Sequence, residues 1–203
     1  MKFTKIPEST FENLQLNAGV LLSTFNISSP AVVDSNIIGA TTGGVSFTAA
    51  ASYSDYGEDI DNCPKNMLEL KKLDSWEVKM SGNFVTVTAS LAKDLIAAAD
   101  ASGNKITPRN DLKTADFKDV WWVGDYSDEN GETNGGFVAI HMMNTLNTGG
   151  FAIQSTDKGK GQFAFEYTAH YSIDAQDTVP FEVYVVDGSA EPTPGPTPGP
   201  DED

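Results

Sequence analysis

Along most of the chain, apolar and polar residues alternate with a period of two. Val45, Phe47, Ala49, Ala51 and Tyr53 alternate with small polar residues, and so do Trp76, Val78 and Met80. Phe163, Phe165, Tyr167, Ala169 and Tyr171 form a third row, and Phe181, Val183 and Val185 a fourth. Successive side chains of a strand point to opposite faces, so this pattern predicts strands with one buried face. Shorter apolar runs at Val120–Val123, Phe137–Met143 and Phe151–Ile153 predict further strands. The turn-forming sequences Asn134-Gly135-Gly136 and Asp157-Lys158-Gly159-Lys160-Gly161 predict antiparallel hairpins.

One segment follows a different period. After Thr88 the stretch ASLAKDLIAAADASG sets Leu91, Leu95, Ile96 and Ala99 on one helical stripe with alanine between. This predicts a helix over about residues 89–100, with Thr88 or Ser90 as its N-cap and Gly103 just past its end. The predicted fold is therefore mainly β: an antiparallel β-sandwich or barrel with one flanking α-helix. Between two of the strands, Asp55–Asp74 (DYGEDIDNCPKNMLELKKLD) shows no strand alternation and predicts a long connection. Connections of that length are commonly functional or disordered. From Glu191 the chain reads EPTPGPTPGPDED. Proline fixes φ and removes amide donors, so residues 189–203 are expected to form an extended, solvated tail beside a β-domain spanning 1–188.

Charge narrows the functional classes. The chain carries 13 Lys plus Arg against 29 Asp plus Glu, a formal charge of −16. Only one of the basic residues is arginine, Arg109. A protein that grips nucleic acid needs the opposite, a basic face that replaces phosphate counterions. The charge is also uneven. Residues 1–64 hold two Lys against seven acids (−5), residues 65–118 nine bases against seven acids (+2), and residues 119–203 two Lys against 15 acids (−13). Such asymmetry suits a chain that presents opposite surfaces to copies of itself.

Residues with specific chemistry are sparse. Cys63 is the lone cysteine, so neither an internal disulfide nor a cysteine-based metal site is expected. His141 and His170 lie in strand-like sequence without a G-x-S-x-G nucleophile motif, which reads as two ordinary strand histidines. The acidic groups fail as EF-type calcium loops. One beginning at Asp59 puts Pro64 where the sharp turn needs glycine, and one beginning at Asp125 ends on Gly136 rather than glutamate. No cofactor and no enzymatic activity are predicted. Trp121 and Trp122 are adjacent and point to opposite faces of their strand. One is expected in the core, the other at a subunit interface or ligand platform. The N-terminal residues carry no apolar signal-like run, and the longest such run, Ala18–Leu22, is far shorter than the ~20 residues that span a bilayer. A soluble protein made in the cytoplasm, with no membrane insertion, is the expectation.

Several strings occur together in a fixed order: ENLQLNAGVLL from Glu12, IGATTGG from Ile38, YGEDIDNCPKNM from Tyr56 and ITPRNDL from Ile106. They are followed by DFKDVWWVGD from Asp116, NTGGF from Asn147, DKGKGQ from Asp157 and AQDTVPFEVY from Ala175. Over about Phe11 to Val186 the chain resembles the major tail proteins, the tail tube subunits of long-tailed bacteriophages with flexible tails. The resemblance implies a tail-tube-like β-fold whose copies form rings, usually hexamers, stacked into a hollow tube around a tape measure protein. It also implies contacts with tail terminator and distal tail proteins, passage of DNA through an acidic lumen without stable binding, assembly in the bacterial cytoplasm, and residence in the virion. Asp55–Asp74 resembles the loop with which such subunits contact the adjacent ring. That match makes Asp55, Tyr56, Glu58, Asp59, Asp61, Lys65, Lys71 and Lys72 the candidate stacking residues. Trp121 and Trp122 are the candidate core and interface aromatics. A different reading, suggested by the Pro/Thr/Gly tail and the paired tryptophans, is a non-catalytic β-sandwich module for carbohydrate binding or adhesion.

Overall fold

The alternating rows become strands, except that the third ends at Thr168 and leaves Ala169 and Tyr171 beyond it. The computed structural model describes residues 5–7, 10, 14–127 and 133–188, so the expected tail at 189–203 lies outside the described residues. Within them are ten strands and one α-helix: β1 Gln15–Leu22, β2 Thr41–Asp55, β3 Lys71–Phe84, α1 Ala89–Ile96, β4 Ala99–Ser102 and β5 Lys105–Pro108. After these come β6 Lys118–Ser127, β7 Thr133–Asn147, β8 Ala152–Gln154, β9 Gln162–Thr168 and β10 Phe181–Val186. All the pairings are antiparallel. The fold is mainly β with one helix, an arrangement compatible with a β-sandwich.

The long strand β7 joins two sheets. Its first part runs between β6 and β10, and β1 pairs with the far edge of β6. Its last residues, Leu146 and Asn147, pair instead with Thr168 and Tyr167 of β9, beside β8. β9 also pairs with β3, and β3 with β2. Near the other end of the order, Ile38 N–H donates to Leu21 O at 2.9 Å just before the chain enters β2. β4 and β5 form a separate small hairpin.

Apolar residues collect in two clusters. The larger contains Leu21, Val78, Met80, Phe84, Ile140, Met142, Phe163, Phe165 and Tyr167, with Leu91 and Leu95 of α1 closing it. The rows from β3 and β9 thus supply its centre, as their period predicts. The smaller cluster, Leu22, Trp121, Val123, Phe137 and Ala139, is covered by Phe25 and Ile27 from the segment after β1. Leu21 and Leu22 go to different clusters, and so do their neighbours across the ladder, Trp122 and Trp121. That is the two-residue period acting on a sheet covered on both faces.

Four expectations need correction. The helix ends at Ile96 rather than near residue 100. Thr88 Oγ1 caps it, accepting Leu91 N–H at 3.1 Å, but Ala97 has φ of 67° and breaks the helical path. Ala99–Ser102 then pairs with Lys105–Pro108, and Gly103 (φ 60°) makes the hairpin turn instead of ending a helix. The 20-residue connection is also shorter than it reads, because Asp55 pairs with Lys71, Ser54 with Lys72 and Tyr53 with Leu73, leaving residues 56–70 as the loop. Asn134-Gly135-Gly136 lies inside β7 rather than in a connection between strands. In β10, Val183 and Val185 are exposed, while Tyr184 and Val186 pack on the smaller cluster.

Candidate functional site

The β2–β3 hairpin outreaches the sheet that supports it. β9 pairs with β3 over Lys79–Phe84, Ala169 N–H donates to Val78 O at 3.0 Å, and Trp76 N–H donates to the Tyr171 hydroxyl at 3.0 Å. Beyond Trp76, β3 residues Lys71–Ser75 pair only with β2. The far part of the hairpin is a two-stranded ribbon. A shift in register between Ser52 and Tyr53 accompanies the change, and Tyr53 and Leu73 become exposed. The outer edge of β2 carries no further strand among the described residues.

The loop at the end of this ribbon is held by one carboxylate. Asp55 Oδ1 accepts Gly57 N–H at 2.9 Å and Oδ2 accepts Asn66 N–H at 2.8 Å, which ties both sides of the loop to the last rung of β2. Those two backbone donors, helped by the positive charges of Lys71 and Lys65, hold the Asp55 carboxyl below its ordinary pKa. Lys71 Nζ donates to Asn66 Oδ1 at 3.1 Å and also lies 5.5 Å from the Tyr53 ring centre. Tyr56 N–H donates to Leu70 O at 3.0 Å, closing the base. Inside the loop, Gly57 is buried against Cys63 and Leu70, and a Cβ there would lie 3.0 Å from Cys63 Sγ.

The structure brings the candidate stacking residues together on this projection. Asp55, Tyr56, Glu58, Lys65 and Lys71 border one open recess. Glu58, Asp59 and Asp61 stand exposed on the loop, and Lys72 is exposed on the ribbon. Apolar side chains accompany them: Tyr56, Ile60, Met67 and Leu68 are exposed, Leu68 to 85%. Leu68 lies in a short 3-10 turn that leads into β3. Exposed apolar groups gathered with charged ones mark a contact surface more strongly than scattered ones do.

Trp121 and Trp122 lie elsewhere, and both are packed. Trp121 is 9% exposed, with the His141 ring stacked on it at 3.9 Å between centroids and Tyr184 stacked at 5.9 Å. Trp122 packs against the larger cluster, and its Nε1–H donates to Ala18 O at 2.9 Å. Trp121 is thus buried and Trp122 half-buried.

One arrangement goes beyond the sequence reading. His141 Nε2 lies 3.0 Å from Asp119 Oδ2, and its Nδ1 lies 3.6 Å from Glu182 Oε2. The Tyr184 hydroxyl donates to the same Glu182 carboxylate. The cross-strand pairing of His141 with Trp121 and Glu182 creates this set, and nothing in the spacing of Asp119, His141 and Glu182 along the chain reveals it. Its effect is to tie β10 to β6 and β7.

The remaining polar chemistry is committed to structure. A cavity of about 300 Å³ lies between α1 and the ends of β6 and β7. Its carboxylates are engaged: Asp94 with Lys118 at 2.5 Å, Asp116 with Arg109 at 2.7 Å, and Asp119 with His141. Asp116 sits below its ordinary pKa because Lys113 N–H and then Arg109 donate to it. Tyr167, 4% exposed beneath α1, has its phenol pushed up by burial and by the nearby Asp94 charge. Among the described residues no group of three or more His, Cys, Asp or Glu could hold a metal ion, and no helix is long and apolar enough to cross a membrane.

No protein-family model matches the chain, and no curated protein matches it.

Proposed function

We propose that this chain is a structural virion protein, a tail tube subunit that assembles into rings, hexameric as its family resemblance implies, stacked into a hollow tube that conducts a phage genome. The observation that carries the reading is the projecting β2–β3 hairpin. A 15-residue edge strand whose outer edge carries no further strand among the described residues is a liability for an isolated protein, since unpaired N–H and C=O groups invite another strand. In a ring, a neighbouring subunit covers that edge. The ribbon adds an ordered loop with four exposed apolar residues and four exposed acids. Such a device is well made for reaching another protein and poorly made for life as a monomer.

Charge fits the second half of the role. DNA sliding through a pore must not adhere, and a chain of charge −16 repels a polyanion over about a Debye length, ~8 Å at physiological salt. The function needs no cofactor and no catalytic group. Its partners are further copies of the chain, a tape measure protein along the axis, and terminator and distal tail proteins at the ends.

Sedimentation of the purified protein over a concentration series tests the reading. Self-assembly gives species that grow with concentration, while the carbohydrate-binding alternative gives a monomer with clear hits on a glycan array.

A further inference from the structure

We propose that the acidic tip of the β2–β3 hairpin docks on the β8–β9 turn of the next copy, Phe151, Ile153, Lys158 and Lys160. This makes a head-to-tail contact that repeats along an axis. The inference rests on the self-assembly reading above and specifies which surface receives the hairpin.

Strand register places the two surfaces at opposite ends of one sheet. Phe163 of β9 pairs with Phe84, the last residue of β3, and Ile153 of β8 pairs with Phe163. The turn joining β8 to β9, residues 155–161, therefore lies beyond the Phe84 end of β3. The hairpin loop lies beyond the Lys71 end, 14 residues away. At ~3.3 Å per residue the two ends are about 45 Å apart along the strand. A surface and its complement at opposite ends of one chain produce a heterologous contact, which propagates into a filament when it does not close.

The charges of the two ends are complementary. Residues 56–70 contain Glu58, Asp59, Asp61 and Glu69 against Lys65, a net of −3. Lys65 borders the recess shared with Asp55 and Glu58, and its charge helps to lower the Asp55 pKa, so the net charge of the loop stays acidic with Lys65 counted in. Residues 155–161 contain Lys158 and Lys160 against Asp157, a net of +1. These are the only two basic residues after Lys118, in a region that otherwise carries 15 acids. The single positive spot in the acidic final third of the chain is thus set where the acidic hairpin of another copy can meet it.

Apolar groups match as well. Phe151 is 45% exposed and Ile153 60% exposed, side by side next to the lysine turn. Phe151 is steadied from beneath by the Phe163 ring, 6.1 Å away. The hairpin brings Ile60, Met67 and Leu68, also exposed. Burying these against each other gives the contact its strength, and the charges set its direction and partner.

A charge-exchange experiment decides the matter. Lys158→Glu with Lys160→Glu, and separately Glu58→Lys, Asp59→Lys and Asp61→Lys, are expected to raise the concentration at which the protein assembles by roughly tenfold each. Combining both sets restores assembly toward that of the unchanged protein. In parallel, Lys158→Cys with the native Cys63 is expected to give a ladder of covalent multimers under a short thiol cross-linker, and Lys158→Cys with Cys63→Ser at most a dimer. Circular dichroism checks that each variant is folded, and the ladder is read on a chain with its charged tip intact. Assembly that ignores both charge sets, or a combined variant no better than either alone, overturns the docking while leaving self-assembly standing. An unchanged protein that never assembles removes the proposed function and the docking with it.

Discussion

Asp55 and Asn66, eleven residues apart, are joined by a hydrogen bond of 2.8 Å from the Asn66 amide to the Asp55 carboxylate. The other carboxylate oxygen holds Gly57 at 2.9 Å. One side chain at the end of β2 therefore gives a definite shape to a loop that has no core of its own. Asp55→Ala should free that loop without unfolding the body. Hydrogen exchange checks it: the amides of Gly57 and Asn66 should exchange faster, while those of β6, β7 and β9 keep their protection. Unchanged protection at Gly57 and Asn66 would contradict the assignment.

The same pair predicts a pH dependence. The native Asp55 carboxyl titrates below its ordinary value of 3.8, because backbone N–H donors favour the ionised form. The stabilisation is therefore complete above the unfolded-state value and is lost as the pH falls through the lower, native one. Loop protection should decline over that acid range in the native protein. In Asp55→Asn it should be weaker at neutral pH and nearly flat with acidification.

Asn147 is the most heavily used buried polar side chain. Its Nδ2 donates to Leu95 O at 2.6 Å and Gly150 O at 3.0 Å, and its Oδ1 accepts Glu166 N–H at 2.8 Å. It thereby ties the end of α1, the end of β7 and the middle of β9 together. Asn147→Ala strands these groups in a site only 5% exposed and should cost about 2–3 kcal/mol. Urea unfolding measures it, and a loss under about 1 kcal/mol would show that the site relaxes around the change.

Gly19 gives a second stability prediction. Its φ is 68°, and a Cβ there would lie 2.5 Å from the Trp122 indole. Gly19→Ala combines left-handed strain with overpacking and should cost about 2–4 kcal/mol. Thermal melting reads the shift, with Gly103→Ala as the control: φ is 60° there too, but no atom lies within 4 Å of the added Cβ.

A fifth prediction concerns DNA. Duplex DNA at physiological salt should pass through a gel or a sedimentation gradient without being retained by the purified protein, whatever its state of assembly. Micromolar or tighter binding would contradict the role given to the net charge of −16.

What could be read in advance depended on whether a strand had one wet face. Trp76, Val78 and Met80, or Phe163, Phe165 and Tyr167, border one core and solvent, and their alternation marks them clearly. β10 is different because it crosses from one cluster to the other: Phe181 packs on the larger and Tyr184 and Val186 on the smaller. With apolar residues on both faces, its buried set is ambiguous. The outer part of the hairpin fails for the opposite reason. Leu73 has no core behind it, so the β3 side of the ribbon, Lys71–Asp74, shows no alternation and reads as part of the connection, while Tyr53 on the β2 side still closes an alternating row. Ala97, Ala98 and Ala99 favour helix by propensity, yet the pairing of Ala99–Ser102 with Lys105–Pro108 prevails. At the candidate site, the acids and lysines of residues 55–72 were visible as a group, but their clasp around Asp55 depends on backbone geometry. Lys158 and Lys160 read only as turn residues until register set them opposite the acidic tip.

Negative-stain electron microscopy of the purified protein across a rising concentration series tests the central claim most directly. The account predicts rings with an open centre that stack into hollow tubes of constant width. Particles that remain single subunits at every concentration, with no rings or tubes even beside other tail components, would contradict it.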